Sequence, residues 1–216
     1  MKKLLGKIRG AWNHNALVSF FGVTGMGFFL SFLILVEYGT DPATFMNLSV
    51  SSAIGWTLGN WQLLFNISLL MLVILINRSI IGFGTLFNMV LLGYYADFFC
   101  WLFRQLLPAG LFTDQPWRGV IFAVALIGFV ITAAVYMNAG AGLSPYDGAA
   151  KLFANCFKKI PFFIPRMVYD FAAIGVGMLA GGRPTIGIIL IAIFLGPVIT
   201  IVGRVMQRLS ASKKGG

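Results

Sequence analysis

The chain has 216 residues, of which 59% are hydrophobic and 10% charged, with a mean hydropathy of +0.90 and a formal net charge of +10. A soluble domain carries about 25% charged residues, so this composition excludes one, and the continuous apolar runs exclude a barrel whose strands alternate with period two. The basic excess sits at the two ends of the chain, with no soluble domain to carry it, so no nucleic-acid partner is expected.

Taken in order, the chain opens with Lys2, Lys3, Lys7 and Arg9 and then an apolar run over 16–38. That run is too long for the core of a signal peptide and lacks a small-x-small cleavage site, so it reads as an uncleaved first helix, with His14 solvated or interfacial at its start. The bend Gly39-Thr40-Asp41-Pro42 introduces a short apolar segment ending near Ile54. A helix is expected over 61–77, and the turn Gly82-Phe83-Gly84-Thr85 leads into another over 84–106. The connector from Pro108 to Pro116 is turn-rich, and its prolines end helical patterns. Four further segments follow, over 118–139, 145–158, 162–180 and 186–207; the second starts at Gly142-Leu143-Ser144-Pro145 and the fourth follows Pro184-Thr185-Ile186-Gly187. The expected fold is an all-α polytopic membrane protein, one membrane domain over 1–215, with six long helices and two short ones after the Gly-x-x-Pro bends.

The punctuation repeats. Gly25, Gly39, Pro42, Gly84 and Gly93 recur 103 positions later as Gly128, Gly142, Pro145, Gly187 and Gly196, without a gap. Positions with special backbone demands have stayed while side chains diverged, as expected of a duplicated unit. Two tandem four-segment repeats, 16–106 and 119–209, are therefore expected to superpose. Such duplication recurs in small-solute transporters, whose sites lie at the repeat interface.

The short segments decide the topology. About 14 residues give ~21 Å of helix, short for a full crossing. If they cross, the repeats are parallel; if they are re-entrant, the repeats are inverted. The Lys/Arg balance separates these arrangements by a single charge. Lys158 and Lys159 end the second short segment and would be stranded at mid-membrane if it dipped in from the cytoplasmic side, so crossing segments and parallel repeats are favoured. Both Gly-x-x-Pro bends and both glycine turns would then gather four helix starts around one outer mouth. The basic ends, with Arg204, Arg208, Lys213 and Lys214 after the last span, place both termini in the cytoplasm of a bacterial inner membrane, where they meet anionic lipid.

Candidate chemistry centres on the two bends. Asp41 and Ser144 are N-cap residues, Pro42 and Pro145 occupy first helical positions, and a helix start can receive an anion or another polar group. Asp147 and Lys151 share i,i+4 spacing and are expected to pair, beside Tyr146, while Thr44 and Asn47 give the matching helix a polar face. Asn66 and Tyr169 stand at equivalent repeat positions, placed to line the repeat interface from both sides, and Asp170 has Arg166 four residues earlier. Ionisable groups within membrane segments usually face the bundle interior or a cavity. Gly39, Gly142, Gly82, Gly84 and Gly187, with Pro42 and Pro145, are the candidate hinges. Cys100 and Cys156 sit in apolar segments and imply neither a disulfide framework nor a metal site. No metal, no cofactor and no enzymatic activity are expected, because no His/Cys/Glu cluster or catalytic pair occurs in motif context.

These residues resemble the bacterial YczE/YitT-like family of integral membrane proteins. Gly142-Leu-Ser-Pro-Tyr-Asp147 is similar to that family's Gly-x-x-Pro-(aromatic)-Asp segment, and Thr185-Ile-Gly187 resembles its glycine turn. The first repeat departs from the pattern, with Ala43-Thr44 in place of Tyr146-Asp147. The resemblance implies a compact multi-span protein of the plasma membrane and names no substrate. The functional expectation is a permease-like transporter of a small polar or amphipathic solute, with a proton or sodium ion as possible coupling partner. The alternative is a non-transporting accessory or scaffold protein, which would be packed solid where a transporter has a polar cavity.

Overall fold

The computed structural model describes the backbone of residues 2–77, 81–157, 159–161 and 163–212. Arg78, Lys158, Lys213 and Lys214, and the side chains of Lys2, Lys3, Lys7, Arg9 and Arg208, lie outside what is described. The described residues form helices and no strand: α1 (Lys2–Val36), α2 (Pro42–Ile54), α3 (Leu58–Ile76), α4 (Phe83–Leu106), α5 (Gly110–Thr113), α6 (Trp117–Asn138), α7 (Pro145–Asn155), α8 (Phe163–Leu179) and α9 (Ile186–Ser212). Six long helices and the two short ones, α2 and α7, lie near the expected bounds, except that α1 begins at Lys2 and not near residue 16, and α5 is a single added turn in the connector. His14–Val36 of α1, together with α3, α4 and α6, is long and apolar enough to cross a membrane. Helix α9 becomes a fifth if it is counted through its 50° bend between Gly187–Ile193 and Pro197–Val205; Pro197 lies inside that helix and accounts for the bend. Helix α8 is 17 residues, or about 25 Å.

Helices α1 and α6 form the spine. Gly22 lies against Tyr136, Gly25 against Thr132 and Gly128 against Phe29, while Arg118 donates to the Val36 carbonyl at 2.8 Å. Each step forward on α1 is a step back on α6, so the two are antiparallel. Small residues let their backbones approach, the usual basis of helix packing where no hydrophobic gain is available. On the other side α1 runs parallel to α4, with Ser19 near Gly84, Gly27 against Tyr95, and Cys100 Sγ 3.7 Å from the Ser31 carbonyl. Helix α9 runs parallel to α6, from Gly187 beside Phe122 to Gly203 beside Asn138.

The antiparallel spine overturns the expectation of parallel repeats, because α1 and α6 are the helices that would open them. The short helices do not cross. After α1 the chain turns back into the bundle through 37–41, and α2 then runs outward to the face it came from, with Phe45 and Met46 against Gly177 and Ser49 against Gly182. After α6 the chain turns back through 139–144, and α7 runs outward to the other face, packing Ala149 and Leu152 with Val73 and Ile81. Lys159 is exposed beyond its end. The inward limb is the non-helical segment and not the helix, so the basic end of α7 emerges at the surface without a full crossing. The four helix starts divide accordingly. The Gly39 bend sits on the Gly187 turn and the Gly142 bend on the Gly82–Gly84 turn, at opposite ends of the spine.

Gly39 and Gly142 have φ of +131° and +103°, the left-handed side of backbone space. A Cβ on Gly142 would stand 2.5 Å from the Gly82 nitrogen and 2.7 Å from Thr85 Oγ1. Gly142→Ala is therefore expected to lower stability by roughly 1–3 kcal/mol, read as thermal unfolding in detergent. Gly175→Ala, in α8 with nothing within 4 Å of the added carbon, should be neutral or slightly stabilising. Equal effects of the two changes would refute this account of the bend. The topology is tested separately. In a Cys-free background, Trp56→Cys, just beyond α2, and Arg204→Cys, near the end of α9, are expected to react with an impermeant reagent from opposite sides of the membrane. Labelling of both from one side would mean that α2 crosses.

Candidate functional site

Both inward limbs end where a proline opens a short helix. Proline presets the helical φ and lacks the N–H that a first-turn residue would leave unpaired. Asp41 caps α2 by accepting the Thr44 N–H through Oδ1 at 3.1 Å, and Ser144 caps α7 by accepting the Asp147 N–H at 3.0 Å. The two helix starts face one cavity of about 60 Å³ in the middle of the bundle. Asp41, Thr44 and Asn47 reach it from α2 and its cap, Gln62 and Asn66 from α3, Asn88 from α4, and Ser144, Tyr146 and Asp147 from α7 and its cap. Arg166 of α8 closes the polar wall, and Met26, Leu92, Phe129 and Leu195 supply part of the apolar one. A water needs about 10–15 Å³ on this measure, so the space fits a few waters or one small ion.

One side of the cavity is a closed ionic network. Arg166 Nη1 lies 2.8 Å from Asp147 Oδ1, and its Nε lies 3.0 Å from Asp170 Oδ2. The Tyr146 hydroxyl donates to Asp170 Oδ1 at 2.9 Å, and the Ser144 hydroxyl donates to Asp147 Oδ2 at 2.7 Å. The Arg166 guanidinium carbon also stands 5.5 Å from the Tyr146 ring centroid. Asp170 is 1% exposed and Arg166 6%. At such depth a cation is tolerated only when paired and hydrogen-bonded, and the planar guanidinium fork can serve two carboxylates at once. Asp147 lies in the first turn of α7, where the helix dipole favours an anion.

The other side is polar but less complete. Trp61 Nε1 donates to Asn47 Oδ1 at 3.0 Å, fixing that amide. Four buried side-chain atoms have no hydrogen-bond partner among the described residues, and two of them, Asp41 Oδ2 and Gln62 Oε1, belong to the cavity wall.

Of the expected site residues, Asp41, Thr44, Asn47, Asn66, Ser144, Tyr146 and Asp147 meet at the cavity, and Asp170 stands behind them, held by Arg166 and Tyr146. Two expectations are corrected. Asp147 pairs with Arg166 and not with Lys151, which is exposed on α7. Lys151 lies one turn nearer the surface, where its ammonium keeps its hydration, and Arg166 meets Asp147 from the next helix. Tyr169 does not line the cavity opposite Asn66; its ring packs 4.8 Å from that of Tyr146 and 6.2 Å from that of Phe153. The two helix starts, expected to receive an anion or another polar group, already hold the protein's own carboxylates, Asp41 and Asp147. Sequence reasoning missed Gln62 altogether and saw Arg166 only as a partner of Asp170. Gln62 was findable: it precedes Asn66 by four residues on an otherwise apolar helix, which puts both amides on one face. No group of three or more His, Cys, Asp or Glu suited to a metal ion occurs among the described residues.

The chain is similar to a Bacillus subtilis (strain 168) protein described as "Uncharacterized membrane protein YczE", with 29% identity over 119 residues. That alignment covers 54% of this chain and 52% of the relative, so the chain spans about half the length of the curated relative it matches. No solved structure matches it. Residues 14–204 match DUF6198, a family of unknown function, and with nearly the whole helical bundle inside that match the chain belongs to this family of YczE-like membrane proteins.

Proposed function

We propose that the protein is a secondary transporter or permease for a small polar solute, built from two inverted repeats whose interface holds the site. The central cavity carries this reading. A bundle that served only as a scaffold would fill its centre with apolar side chains, since each buried polar group costs free energy unless it is partnered. Here ten polar or ionisable side chains face one small space. Re-entrant, non-helical backbone at membrane depth is typical of transporters and is tolerated where protein or a water-filled cavity surrounds it. The reciprocal seating of the Gly39 bend on the Gly187 turn and the Gly142 bend on the Gly84 turn supports the duplication, because these contacts exchange under the 103-residue offset.

The charge favours a neutral or cationic solute over an anion. Three carboxylates, Asp41, Asp147 and Asp170, stand against the single guanidinium of Arg166, which both Asp147 and Asp170 already engage. We place both termini in the cytoplasm of a bacterial inner membrane, since Asn15 stands beside Gly140 and Gly203 beside Asn138, which brings both ends of the chain to one face, and basic residues cluster at those ends.

The test is uptake into proteoliposomes from a panel of small neutral and cationic metabolites, beside thermal stability in detergent. Asp147→Asn leaves Arg166 neutralised by Asp170, so the fold should persist while uptake falls by tenfold or more. Arg166→Met strands two buried carboxylates and is expected to cost about 3–5 kcal/mol of stability. Full uptake by Asp147→Asn would overturn the role given to that carboxylate, and no uptake of any solute by a well-folded wild type together with no solute-induced stabilisation would favour the scaffold alternative.

A further inference from the structure

Asp41 is 9% exposed and makes no ion pair among the described residues; Arg166 pairs with Asp147 and Asp170. One of its oxygens, Oδ1, is used in capping α2, and the other, Oδ2, has no partner. Gln62, 6% exposed on α3, likewise has an unpartnered Oε1. Both residues line the same cavity, which fits a few waters or one ion. Two orphaned buried acceptors beside one space, one of them anionic, are a costly arrangement with nothing bound. The dipole of α2 offsets part of the Asp41 charge but supplies no donor to Oδ2.

We propose that this cavity binds one small monovalent cation, held by Asp41 Oδ2 and Gln62 Oε1. The assignment deepens the transporter reading by naming the charge class of what its cavity takes. The polar atoms on this side come from carboxylate, amide and hydroxyl groups, which are hard ligands suited to alkali or ammonium ions and not to soft metals. A single unpaired carboxylate matches one positive charge, whereas divalent calcium sites recruit several carboxylates. The ion offsets the Asp41 charge, because Arg166 pairs with Asp147 and Asp170 and not with Asp41.

The experiment is equilibrium binding to the purified full chain in detergent, read as thermal stabilisation by NaCl, KCl, NH4Cl or methylammonium chloride against choline chloride at constant ionic strength. Radioactive sodium binding is measured in parallel. At a hundredfold excess over Kd the wild type should gain roughly 5 °C, saturably. Asp41→Asn keeps a good N-cap residue on α2 and removes the charge, so the fold is retained while affinity falls at least about tenfold. Gln62→Leu, a second variant away from the cap, should weaken binding in the same direction. A response to sodium or potassium assigns an alkali ion; a response only to ammonium and methylammonium assigns the amine group of a solute. Both support the site. Absence of saturable stabilisation by any of the four salts, or an unchanged Kd in folded Asp41→Asn, overturns it. Because no transport step is read, cation binding with no solute uptake would sink the transporter reading and leave this site standing, and uptake without a cation response would do the reverse.

Discussion

Every backbone polar group that enters the bilayer without a helix around it must find a partner inside the protein, and the rest of the architecture follows from how two extended limbs meet that demand. The limbs at 37–41 and 139–144 bring carbonyls to membrane depth. The Tyr38 carbonyl accepts the Thr185 hydroxyl at 2.6 Å, and the Ala141 carbonyl accepts the Gly84 N–H at 2.7 Å. On the receiving turn the Gly82 N–H is taken up by Thr85 Oγ1 at 3.1 Å. Each limb thus gives one carbonyl to the helix start of the other half of the chain. The approach is so close that Gly82, Gly84 and Gly187 have no room for a side chain. With the limbs anchored in this way, the short helices begin in the interior, and their caps become the walls of a cavity.

Much of this was legible in the sequence, because local rules govern it. Asp41-Pro42 and Ser144-Pro145 announce helix starts through capping and the fixed proline φ, and both caps form as expected. The Gly/Pro register marks where the chain must bend. The direction of travel was not legible. Helix-start chemistry is the same whether a helix enters the membrane or leaves it, and the Lys/Arg balance differs by a single charge between the alternatives. The pairing of Gly22 with Tyr136 and Gly128 with Phe29 distinguishes them, and that is a tertiary fact.

The site was partly legible for a related reason. Spacing within one helix placed Asp170 beside Arg166, and that pair forms. Spacing also offered Lys151 to Asp147, but a flexible ammonium one turn nearer the surface is better hydrated than buried, and a guanidinium from α8 takes the position. Contacts between helices are invisible to periodicity, so the role of Arg166 as the bridge could not be read from one helix alone. The cavity is also asymmetric in a way the repeat conceals. The α7–α8 side carries a complete ion network, while the α2–α3 side carries amides and a lone carboxylate.

The Arg166 network has a mechanical meaning. Its bond to Asp170 lies within one helix and moves with it, whereas its bond to Asp147 spans two elements, α7 and α8. A rigid displacement of α7 away from α8 separates Asp147 from the guanidinium and leaves Arg166 and Asp170 together. The parting exposes a single unbalanced carboxylate on α7 and no unbalanced charge on α8. The doubly held arginine therefore has one contact fixed within α8 and one shared with α7, and the shared contact is the one that faces the cavity.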